Sequence, residues 1–103
     1  MVKWLKNYYT GEGVEEPVRI RRKINAGKFV PGIYLLTLSN HPDNLCEIIP
    51  AFMLMQKGYR EICPLIFGMA KGKDEAMEMA AELLGEIYRE TGSFKVAEYL
   101  KNR

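Results

Sequence analysis

Two short, continuous apolar runs, Gly32-Ile-Tyr-Leu-Leu-Thr-Leu38 and Ile62-Cys-Pro-Leu-Ile-Phe-Gly-Met-Ala70, are each followed by a longer segment whose apolar residues recur at helical spacing. Nothing else in the chain limits the fold as much. Runs of this length between turn residues read as buried strands, and the order β-α-β-α favours parallel strands joined by a helical crossover. The expected class is α/β: a small single domain over residues 1–103, with a β-α-β-α core packed by helices. Its two strands are expected to be parallel.

Strand one is expected over about 33–38. Asn44-Leu-Cys-Glu47 has the spacing of a capping box, so a helix is expected from Asn44 to about Gly58, kinked by Pro50, which lacks a backbone donor. Strand two is expected over about 62–69. Pro64 implies either an edge position or a start nearer Leu65. Asp74 is a good N-cap for the longest helix, which runs to about Thr91 with Ala76, Ala80, Leu83, Leu84, Ile87 and Tyr88 inward. Glu78, Glu82 and Glu86 stand four apart on its outer face, Gly92 is the expected stop, and Ser93 can cap a last short helix.

Residues 1–30 form a basic arm or helical region. They carry seven Lys and Arg against three Glu, whereas the rest of the chain carries eight bases against ten acids. Trp4 and Tyr8, and Leu5 and Tyr9, are one helical turn apart, and Pro17 with Gly27 brackets a short helix over 17–26. Two strands make a marginal sheet. A third must come from the N-terminal region or from a second subunit, and with Met53, Met55, Met69, Met77 and Met79 available as adaptable apolar surface, the expectation is a homodimer.

The composition, 48% hydrophobic and 27% charged, is that of a globular domain. The longest apolar stretches are far short of the roughly 20 residues a membrane span needs, and the lysine-bearing N-terminus lacks a signal-peptide core. The chain has the look of a short, self-contained bacterial protein, expected in the cytoplasm. Cys46 and Cys63 match no metal or redox spacing and are expected as free thiols. With His41 as the single histidine, no metal site and no cofactor are implied.

In a right-handed βαβ unit the loops after both strands leave the same sheet edge, where open α/β sheets bind ligands. The candidate ligand-binding residues are therefore Ser39, Asn40 and His41 in the 39–44 loop, and Lys71, Gly72 and Lys73 in the 68–74 loop. They offer a titratable imidazole, two ammonium groups and a helix N-terminus suited to an anion. The second loop is not a Walker A motif, since its glycine spacing is one residue short and Asp74 stands where Ser or Thr would meet magnesium. Cys46 reads better as an inert thiol than as a nucleophile, and no catalytic residue is assigned. Arg19, Arg21, Arg22, Lys23 and Lys28, with Trp4, Tyr8 and Tyr9 as stacking groups, suggest nucleic acid. A pI near 8.5 and the lack of a recognisable module argue against it. The reading is a small binding or protein-interaction module that self-associates; the alternative is a small-molecule or anion-binding protein or enzyme using the two loops.

Overall fold

The stretch 66–70 is apolar throughout because it forms a strand in the middle of three layers, covered on both faces, whereas Ile62 at the head of the run is exposed. A computed structural model describes residues 2–41 and 44–101. The elements are β1 (Trp4–Thr10), α1 (Pro17–Asn25), β2 (Ile33–Thr37), β3 (Glu47–Pro50), a 3-10 segment (Ala51–Met55), α2 (Lys57–Ile62), β4 (Ile66–Lys71), α3 (Lys73–Thr91) and α4 (Val96–Lys101). The strands form one mixed sheet in the order β1-β4-β2-β3. The chain is thus an α/β domain, as its alternating pattern requires.

The expected parallel pair is corrected. β2 and β4 are neighbours, but antiparallel, with Ile33 opposite Lys71 and Leu36 opposite Gly68. The cause lies in the segment expected as one kinked helix. Residues 47–50 turn back as β3, pairing antiparallel with β2 at Leu36–Ile48 and Leu35–Ile49. Only then does the chain cross, through the 3-10 segment and α2, to β4. Pro50 ends β3 at the sheet edge, where its missing donor costs no ladder bond. The Asn44 capping box is not formed, and Gly58 lies inside α2 rather than ending a helix.

The N-terminal region supplies the third strand, so the sheet is completed within one chain. β1 pairs parallel with β4, replacing the helical or irregular arm expected there. Its register slips between Trp4 and Tyr9. Trp4 and Tyr8 pack on one side of the sheet and Leu5 and Tyr9 on the other, as strand alternation requires. Pro64 falls before β4, consistent with the later start. Asp74 is not the N-cap: Gly72 holds that place with φ +85°, which glycine adopts freely, and Asp74 lies in the first turn. Gly92 stops α3 in the left-handed region, as its position predicts.

On one face α3 sets Ala76, Ala80, Leu83 and Ile87 against Leu36, Phe67 and Ala70. On the other, Ile24 of α1 joins Leu35, Leu54, Ile66 and Met69. Each large side chain so buried contributes about 1.5–3 kcal/mol. No helix among the described residues is long and apolar enough to cross a membrane.

Candidate functional site

The antiparallel β2–β4 pair separates the two loops expected to share a site. The Gly72 N–H donates to the Gly32 carbonyl (2.7 Å), setting Lys71, Gly72 and Lys73 beside the start of β2. The Leu38 N–H donates to the Leu65 carbonyl (2.9 Å), setting Ser39, Asn40 and His41 beside the start of β4. The length of β2 lies between them, about 14 Å at 3.4 Å per residue. The joint site is not formed.

Each loop is instead occupied locally. The His41 N–H donates to Ser39 Oγ (3.0 Å), and Asn40 is exposed at the bend. Pro42 and Asp43, within the 39–44 loop, lie outside the described residues. At the other end, Glu75 accepts the N–H groups of Lys71 (Oε1) and Gly13 (Oε2), both at 2.9 Å. The negative charge that the start of α3 favours is therefore supplied by the chain itself, from Asp74 and Glu75 in the first turn.

The thiols are arranged for packing. Cys46 precedes β3 rather than opening a helix, and burial, then the nearby Glu47 carboxylate, raises its pKa above the ordinary thiol value. Cys63 is pushed up to about 11 by burial and, secondarily, Glu47. The folded state thus favours the neutral Cys63 thiol. Stability associated with that form is fully present below about pH 9, the ordinary value, and is lost as pH rises towards 11. Urea midpoints across that window should fall more steeply for the native chain than for Cys63→Ala; equal slopes would contradict this.

The open surface lies elsewhere. α3 packs chiefly against β4, β2 and β3. Between it and β1 runs a groove of about 480 Å³ lined by Tyr9, Thr10, Met79, Glu82 and Glu86, reaching down to the buried side chains of Leu36, Phe67 and Leu83. Two members of the acidic row noted in the sequence therefore line this groove. Arg89 is also in the lining. The sequence could not reveal this groove, because it depends on which strands α3 crosses.

The opposite face of β1 is covered. The Arg21 guanidinium lies 5.3 Å from the Trp4 ring centroid and 5.5 Å from that of Tyr8. Trp4 Nε1 donates to Asn25 Oδ1 (2.8 Å). The proposed stacking aromatics Trp4 and Tyr8 are thereby engaged in holding α1 over β1. Comparison with known proteins returns no match: no family model fits the chain, and neither a curated protein nor a solved structure aligns with it.

Proposed function

We propose that this protein is a small binding module of the cytoplasm that works by protein interaction and self-associates as a homodimer. The observation that supports this best is the groove beside α3. A groove that combines Tyr9 and Met79 with carboxylates at its border is a surface suited to a protein partner. Exposed Val18, Phe29, Phe52, Met55 and Ile62 add apolar area elsewhere on the molecule. Neither edge of the sheet is suited to simple extension, since β1 is bulged and β3 is short and ends in proline. Association therefore uses side chains rather than a continued ladder. Sedimentation equilibrium tests the reading. The expected result is reversible formation of a species of twice the 11.8 kDa chain mass. A single 11.8 kDa species at every accessible concentration would overturn it.

A further inference from the structure

The two helical layers differ in charge. One is built from α1, the 3-10 segment and α2, which pack on the same face of the sheet through Ile24, Ala51, Leu54 and Cys63. The Arg60 guanidinium ties α2 to the end of α1 by donating to the Asn25 carbonyl. Residues 14–31 and 51–63, which hold this layer and its loops, carry seven Lys and Arg against Glu15, Glu16 and Glu61. On the other face α3 carries six acids against Lys73 and Arg89. The molecule therefore has a basic side and an acidic side, and the groove belongs to the acidic one.

The outer surface of the basic layer is also unusually apolar. With Ile20 and Ile24 inward, helical spacing turns Val18, Arg19, Arg22 and Lys23 to the outer half of α1, and all four are exposed. Ala51 and Leu54 are the buried side of the 3-10 segment, which leaves Phe52 and Met55 outside. Phe29 lines the same shallow depression as Arg19 and Lys23, and Ile62 is the last residue of α2. Val18, Phe29, Phe52, Met55 and Ile62 are 47% to 67% exposed. Arg22, Lys23, Lys28 and Lys57 form no ion pair among the described residues, so their charge is available to a partner.

We infer that this face docks on an anionic lipid bilayer, lying on its surface rather than crossing it. Two terms hold a peripheral protein on such a membrane: cations that meet the lipid head groups, and apolar side chains that enter the boundary with the acyl chains. The α1–α2 face supplies both. Each basic residue close to an anionic bilayer strengthens binding about fivefold, so the excess of cations on this face selects charged over neutral lipid. A nucleic acid would use the cations but leave the five apolar side chains in water. Trp4 and Tyr8, which could stack on bases, are already covered by Arg21. Docking in this orientation turns the acidic α3 layer and its groove away from the membrane, where a protein partner can reach them.

Co-sedimentation of the full chain with lipid vesicles tests it. Vesicles of phosphatidylcholine containing phosphatidylglycerol are expected to bind at least about tenfold more tightly than pure phosphatidylcholine, with binding that weakens as salt is added. The pair Arg22→Glu with Lys23→Glu reverses charge on the outer half of α1 and should reduce binding to the anionic vesicles by at least about tenfold. Phe52→Ser with Ile62→Ser removes apolar contact and should reduce it several-fold. Lys95→Glu with Lys101→Glu makes the same change in net charge beside α3, on the acidic side, and is expected to leave binding within about threefold of the native chain. Circular dichroism melts identify a variant that has not folded, in which case Arg22→Gln with Lys23→Gln is used and should weaken binding several-fold. Equal binding to the two lipids, equal loss from the two charge-reversed pairs, or no binding to the anionic vesicles would overturn the inference. Binding to a DNA duplex without binding to vesicles would also overturn it, and would assign the cations to nucleic acid.

Discussion

Replacing Phe67 with alanine should destabilise the fold by about 3–5 kcal/mol, lowering the melting temperature by on the order of 20 °C. The ring is 1% exposed, on a strand packed by helices from both sides. Its removal leaves a cavity between β4 and α3 that the close-packed Ala76 and Ala80 cannot fill. Against a typical total stability of about 5–15 kcal/mol, this is a large fraction. Phe52→Ala provides the control, since that ring is 51% exposed and its loss should cost under about 1 kcal/mol. Similar melting shifts for the two variants would contradict the placement of β4 at the centre of the sheet.

Gly11→Ala should be the most damaging of the glycine-to-alanine changes. A methyl group there would lie 1.9 Å from Glu75 Oε1. A surface carboxylate could simply swing aside, but this one is held by the amides of Lys71 and Gly13. Moving it breaks two charge-assisted bonds that join the β1–α1 turn to the end of β4. The expected cost is about 2–4 kcal/mol, discounted from two full bonds because the site is partly exposed. Glu75→Ala loses the same two bonds and should cost about as much. The double variant should be close to Glu75→Ala alone, because the clash disappears with the side chain. Additive losses in chemical denaturation would show that the two residues act separately.

The parts of the fold legible in the sequence were those where local and tertiary signals agree. α3 has a long apolar stripe and a glycine stop, and α1 has its first-turn proline with Ile20 and Ile24 inward. β2 is a β-rich run of the right length. The segment 44–58 misleads because Glu47-Ile-Ile-Pro50 suits either a helix turn or a short strand, and only pairing with β2 decides between them. β1 misleads because residues four apart, Trp4 with Tyr8 and Leu5 with Tyr9, share a face in a strand as well as in a helix. One extra strand then reversed the relation between β2 and β4. That reversal moved Ser39, Asn40 and His41 to the opposite end of the sheet from Lys71, Gly72 and Lys73. The acidic row of α3 was visible, but not the groove beside it.

The measurement that bears most directly on the account is an amide chemical-shift series recorded from dilute to concentrated protein. Self-association through the groove beside α3 predicts concentration-dependent shifts gathered on Tyr9, Thr10, Met79, Glu82 and Glu86. Shifts gathered instead around Phe52, Met55 and Ile62, or none at any concentration, would contradict it.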